Sequence, residues 1–284
     1  MAVVATGFFD GVHQGHRKVI DALLSCARER GEQSVIATFW PHPRAVLQNE
    51  ARDLRLLMSM EEKEAVLRSL GVDRIEVIPF THYFASLTSR EYLEQFVKGR
   101  CSGTTVVLGY DNRIGSDLLE CEDLSRAAVE VGLEVVRCAP LGDISSTKIR
   151  NCLAAGKLDM ANEMLGAPYS LRGVVIPGNQ LGRTLGYPTA NVRSYEPLKI
   201  LPMTGAYFTK VKVVGREFYG MTNVGAAGKV ETHIFGLAED IYGLDIELVF
   251  LKFMRAEQSF QNTEDLKRQL DIDRMSCQNI IFGL

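Results

Sequence analysis

No run of residues in this chain approaches the about 18 to 20 consecutive apolar positions that a membrane helix needs. The first residues also lack a basic segment leading into a long apolar core, so neither a membrane protein nor a secreted one is expected, and a cytoplasmic location is. Charge of one sign is missing too. Thirty-two Lys and Arg against thirty-five Asp and Glu leave a net charge of -3, which provides no footprint for a nucleic-acid backbone or an acidic membrane. Any polyanion must therefore be held by a local site. The six cysteines, at 26, 101, 121, 138, 152 and 277, form no C-x-x-C pair, which argues against a disulfide framework or a zinc cluster and for buried free thiols. Neither G-x-G-x-x-G nor a P-loop ending in G-K-[ST] occurs, so the two commonest nucleotide fingerprints are absent.

What is present is an ordinary globular composition, 46% hydrophobic and 24% charged, over 284 residues, a length better served by two cores than by one. Up to about residue 140, strand-like runs at 2–5, 34–40, 74–80, 104–109 and 133–138 alternate with helical segments. Two of those helices open with capping boxes, Ser59 with Glu62 and Thr88 with Glu91. Such alternation predicts a parallel sheet covered on both faces, with ligands at the carboxyl ends of its strands. After about residue 165 the rhythm changes to "LRGVVI", "GAYFTKVKVV", "REFYGMTNV", "VETHIF" and "LDIELVFLKFMR", with Gly215 at a turn and "TEDLKRQL" as a closing helix. This predicts a small antiparallel β-barrel with a C-terminal helix. Gly166 and Pro168 interrupt the chain between the halves, and the domains are drawn as 1–165, an α/β Rossmann-like domain, and 166–284.

The densest chemistry lies in "GFFDGVHQGH", directly after the first strand. Gly7, Gly11 and Gly15 crowd around His13 and His16 where a strand hands over to the helix "RKVIDALLSCARER". Free N–H groups and the positive end of the helix dipole can hold phosphate there, and glycines let its oxygens reach the backbone. Two imidazoles add donors for charge that builds in a transition state. His13 and His16 could instead begin a metal site, although no third His or Cys ligand stands near in sequence. His42 sits between Pro41 and Pro43 after the second strand, and "SSTKIR" reads by itself as a helix start. In the second half Thr189 and Asn191, two apart, share a face of an extended segment and offer oxygens, which a polar turn would also do. Glu231 alternates away from the apolar stripe of its strand, as a solvated residue does.

"GFFDGVHQGH", "TFWPHP", "ISSTKIR", "LGAPYSLRGVVIPGNQLGRTLGYPTANV", "VETHIFGLAEDIYG" and "FMRAEQSF" occur in order, and together they resemble the bacterial bifunctional riboflavin kinase/FMN adenylyltransferase (FAD synthetase) family over essentially the whole chain. The resemblance implies phosphorylation of riboflavin to FMN, then transfer of AMP from ATP to FMN, giving FAD and pyrophosphate. ATP is then a co-substrate in both steps, with Mg²⁺ as cofactor. It implies that Gly7, His13, Gly15 and His16 meet ATP phosphates, with His42 and Asp111 in the same site. Ser145, Ser146, Thr147 and Arg150 are implied for the departing pyrophosphate. In the kinase half it assigns Gly182, Arg183 and Gly186 to the nucleotide, and Thr189 and Asn191 to Mg²⁺ and ATP. Glu231 is implied as the base and Arg255 as a flavin contact. The chain departs from the family at Asn112 and Ile114, where aromatics are usual, and in "NVGAAGKVE", which is shorter than the usual loop and lacks its R-P-T stretch. Two other readings stand beside this one: a nucleotidyltransferase for another phosphate ester, and a flavin-binding regulator without turnover.

Overall fold

The computed structural model describes residues 1–47, 53–110, 112–178 and 181–283, with the Leu181 side chain left aside. The chain divides into two compact units, Met1–Ser146 and Thr147–Leu284.

In the first unit, β1 (Ala2–Thr6), β2 (Gln33–Trp40), β3 (Arg74–Pro79), β4 (Gly103–Leu108) and β5 (Glu134–Arg137) form one parallel sheet in the order β3-β2-β1-β4-β5. β1 is therefore central and buried on both sides. Ala2 and Val4 join one core with Tyr92, Leu93 and Val106, while Val3 and Ala5 join the other with Ile20, Leu23 and Leu67. Such two-faced burial explains why β1 reads as a continuous apolar run and not as an alternation. The covering helices are α1 (Gln14–Arg30), α2 (Pro43–Leu47), α3 (Met60–Ser69), α4 (His82–Ser86), α5 (Ser89–Tyr92), which runs into a π-helical stretch at Leu93–Arg100, and α6 (Cys121–Glu130). Both capping boxes form: Ser59 and Glu62 open α3, and Thr88 and Glu91 open α5. α1 stops where Gly31 takes a left-handed φ of 64°.

Because the chain leaves β1 for β2 on one side and returns as β4 on the other, the sheet reverses direction of travel at the ends of β1 and β4, the place where such sheets hold ligands. Asn112 spans that point, donating from Nδ2 to the Thr6 carbonyl at 3.0 Å while its Oδ1 accepts from the Gly109 N–H. Ile114, the other departure from the family pattern, is buried in the core with Phe84 and Leu87.

The second unit opens with α7 (Ser146–Ala154), whose first residue belongs to the first unit, and α8 (Leu158–Leu165). It continues with β6 (Ser170–Ile176), α9 (Leu181–Thr184), β7 (Ala190–Ser194), β8 (Gly205–Val213), β9 (Arg216–Val224), β10 (Val230–Ile234), β11 (Asp245–Ala256) and α10 (Thr263–Phe282). The six strands close into an antiparallel barrel, β10-β7-β6-β11-β8-β9. The fold class is thus the one read from the sequence. Two details differ. The polar stretch after Pro188 is a barrel strand, β7, and the closing helix extends to Phe282 because Cys277, Ile280 and Ile281 continue its apolar face against Tyr187, Phe208 and Met221.

Candidate functional site

In the first unit the site is a turn. Phe9 and Val12 adopt left-handed φ values of 54° and 39°, and Gly11 one of 82°, in the short 3-10 turn between β1 and α1. Non-glycine residues in that region cost about 1 to 3 kcal/mol each and persist only where the surroundings impose them. Here the surroundings are visible. The Asp10 carboxylate accepts from the Leu57 N–H at 2.9 Å and the Met58 N–H at 3.3 Å, and the Asp10 carbonyl accepts from Ser146 Oγ at 2.9 Å. The turn is held from two directions.

His13 caps α1. Its Nδ1 accepts the His16 backbone N–H at 3.3 Å, so the neutral ring carries its proton on Nε2. The His13 and His16 rings stack with centroids 3.6 Å apart and planes 15° from parallel, and the Phe9 ring meets His16 edge-on. A Cβ at Gly15 would stand 3.2 Å from the His13 ring, so the glycine leaves room for the stack. Burial pushes the His13 pKa down to about 4, and burial, with His13 and Lys63 adding to it, holds His16 well below its ordinary value. Both rings are neutral hydrogen-bonding groups at physiological pH. His42 joins through Phe8: the two rings meet edge-on at 4.3 Å, and His42 Nδ1 accepts from the Arg44 N–H at 3.0 Å.

Of the residues expected here, Gly7, His13, Gly15, His16, His42 and Ser146 gather around the turn, and Ser145 precedes Ser146 at the start of α7. Thr147 and Arg150 fall in the second unit, where Arg150 Nη2 donates to Thr147 Oγ1 at 3.2 Å. Asp111 lies outside the described residues. One residue was not anticipated: Lys63 of α3 is 1% exposed and reaches the turn, donating from Nζ to the Phe8 carbonyl at 2.6 Å. Its signal was a charge on the face of α3 that also carries Leu67, where an apolar residue is expected.

In the second unit a cavity of about 300 Å³ is lined by strands of the barrel and by α10. Gly182, Thr189, Glu231 and Arg255, all expected at the site, line it together with Leu185, Met221, Asn223, His233, Phe260, Leu266 and Asp273. The register explains the grouping. Glu231 is paired with Asn191 of β7 on one side and Asn223 of β9 on the other, so the three side chains share one row and one face of the barrel wall. Lys229 Nζ lies 2.7 Å from Glu231 Oε1. His233, two residues on, bonds through Nδ1 to the Pro188 carbonyl at 2.8 Å, tying β10 to the segment that carries Thr189. Asn191 is buried, and a Cβ on Gly178 would fall 1.9 Å from its Nδ2, so that glycine is required for the amide to sit where it does.

A second, smaller cavity of about 80 Å³ is lined by Arg183, Pro188, Thr189, Ile234, Leu237 and Tyr242. Thr189 borders both. Gly186 turns the chain just before it with φ 85°. Arg255 reaches the larger cavity, but its Nε and Nη2 are committed to the buried Asp273 carboxylate, at 3.0 and 2.7 Å. Among the described residues no group of three or more His, Cys, Asp or Glu side chains is placed to hold a metal ion, and no helix is long and apolar enough to cross a membrane.

Comparison with known proteins gives the same division. The FAD synthetase family model matches residues 1–151, and the riboflavin kinase family model matches residues 165–281. Bifunctional riboflavin kinase/FMN adenylyltransferase of Listeria monocytogenes is 35% identical, over 97% of this chain and 91% of the relative. The Bacillus subtilis protein of the same name is 33% identical with the same coverage. Among solved structures, one from Streptococcus pneumoniae described as a macrolide-efflux protein superposes with a TM-score of 0.90 at 32% identity, covering 98% of this chain and 94% of that one. With two stacked histidines at a strand-turn-helix junction in one unit, a cavity beside Glu231 in the other, and relatives matched nearly end to end, the chain belongs to the bifunctional riboflavin kinase/FMN adenylyltransferase family.

Proposed function

We infer that this chain makes FMN from riboflavin and ATP in its barrel unit and FAD from FMN and ATP in its α/β unit, with the functional domains divided as 1–165 and 166–284. The observation that carries the reading is Glu231, which lines the larger cavity together with Asn223 and is paired through the sheet with Asn191, with Thr189 bordering both that cavity and the smaller one. The larger cavity, apolar through Leu185, Met221, Phe260 and Leu266, suits the isoalloxazine ring system of a flavin. The smaller one, with the Arg183 guanidinium, suits a nucleotide. A hydroxyl entering from the flavin side then meets the γ-phosphate beside Thr189, and Glu231 accepts its proton as the oxygen attacks the γ-phosphorus and the bond from that phosphorus to the β–γ bridging oxygen breaks, releasing ADP.

Thr189 Oγ1 and the buried Asn191 amide oxygen, two residues apart on the chain, are hard, neutral donors of the kind that, with phosphate oxygens completing the shell, would suit Mg²⁺. When bound, the ion neutralises charge on the phosphates and orients them.

For adenylyl transfer, the Nε2–H of neutral His13 acts as a donor to an ATP phosphate as charge develops there. Ser145, Ser146, Thr147 and Arg150 are assigned to the leaving pyrophosphate. Neither reaction needs a transmembrane segment or a nucleic-acid surface, and a cytoplasmic location suits both.

Chromatography of the flavins formed from riboflavin, ATP and Mg²⁺ tests the assignment. FMN followed by FAD is expected. Glu231→Gln should abolish FMN formation while leaving the conversion of added FMN intact, and His16→Ala should do the reverse. No conversion by the wild-type chain would overturn the reading in favour of a flavin-binding protein.

A further inference from the structure

A lysine 1% exposed is costly, because its ammonium forfeits hydration, and such a group is retained only where its surroundings replace the lost water. Lys63 has three such surroundings. Its Nζ donates to the Phe8 carbonyl at 2.6 Å, approaches Thr38 Oγ1 at 3.5 Å, and lies 3.8 Å from the centroid of the Phe8 ring. The charges that face it are Asp10 from the 3-10 turn and Glu64 from its own helix, both attractive, with the His16 ring opposite on α1. The link is therefore between α3 and the strained turn that precedes the phosphate cradle.

His16 completes the picture. Its Nδ1 is buried with no hydrogen-bond partner among the described residues. A neutral imidazole must place its one proton on Nδ1 or Nε2. A proton on Nδ1 would be a buried donor with no acceptor, whereas a lone pair there leaves no donor unsatisfied. The ring is held from one side by the Phe9 ring, which meets it edge-on, and Phe9 follows the residue whose carbonyl Lys63 binds. We propose that Lys63 is a positioning residue for adenylyl transfer: its buried ammonium fixes the Gly7–Phe9 segment through the Phe8 carbonyl, and through Phe9 it holds the His16 ring so that its Nε2–H can donate to a phosphate oxygen. Burial depresses the Lys63 pKa to about 8, which still leaves the amine mainly charged at neutral pH.

The proposal rests on the reading that His16 serves adenylyl transfer, and the two can fail separately. If His16→Ala makes FAD at the wild-type rate, that reading falls whatever the tautomer. The first test needs no variant. In ¹⁵N-labelled full-length protein at neutral pH, two-bond ¹H–¹⁵N correlation should show His16 Nδ1 as an unprotonated nitrogen and Nε2 as a protonated one. An imidazolium or an Nδ1–H ring would overturn the proposal. Lys63→Met should lower kcat for FAD formation about tenfold to a hundredfold, while KM for FMN and ATP stays within about twofold. The His16 nitrogen pattern should change with it. Lys63→Arg, which keeps the charge, should recover part of the rate. An unchanged kcat and unchanged His16 resonances in Lys63→Met would overturn the assignment. If that variant loses its folded fluorescence from Trp40, the wild-type spectrum and Lys63→Arg decide the matter.

Discussion

A histidine beside a polyanion is ordinarily taken for a cation, yet burial holds His13 near 4 and His16 lower than its ordinary value, so in the proposed phosphate site the two imidazoles act as neutral N–H donors. The same depression has a cost for folding. The unfolded chain takes a proton on this imidazole near pH 6.5, the folded chain only near 4. Between those values the unfolded state binds more protons, so the contribution is complete above about pH 6.5 and drains away as the pH falls toward 4. The single tryptophan, Trp40, lies on β2 in the same unit and reports its unfolding. Urea titrations followed by Trp40 should therefore show stability falling through that window, with a shallower fall in His13→Asn; equal slopes would contradict the account. These imidazoles were visible in the sequence as a pattern, but their protonation was not, because it depends on Lys63 and on burial by residues far along the chain.

Elements were legible to the extent that a local rule sets them. The five parallel strands, both capping boxes and the glycine stop of α1 follow from apolar runs and cap chemistry that any window of the sequence displays. β7 was not legible as a strand, because "ANVRS" is short and polar, and it becomes one only when β6 and β10 pair with it on either side. Its pairing matters more than its composition: Asn191 meets Glu231 through register, a relation between residues forty positions apart that no periodicity contains. Gly178→Ala probes the same element. The added Cβ would collide with the Asn191 amide, and KM for ATP in FMN formation should rise about tenfold while FMN adenylylation is unchanged. Wild-type kinase kinetics in that variant would show that Asn191 need not sit where it does. The helix start at Ser146 was read correctly as a helix start, but its tie to the Asp10 carbonyl belongs to tertiary structure alone.

At the scale of the whole molecule, two units with separate cores carry two chemistries that meet in one compound, since FMN is the product of one and the substrate of the other. Mixing His16→Ala chains with Glu231→Gln chains should restore FAD synthesis from riboflavin, at a rate that depends on protein concentration, because released FMN must travel from one chain to the other. No FAD from the mixture, with each variant active in its own half-reaction, would mean that FMN is passed on without release. The closed barrel adds a different consequence. A row of side chains set by pairing across three adjoining strands is spaced by the sheet itself, about 4.8 Å from strand to strand, and not by the loops above it. The short connection between Val224 and Val230 can therefore be exchanged for longer ones without moving the row, which makes it the natural graft point for anyone wishing to change what the cavity admits while keeping Glu231 and its neighbours where they are.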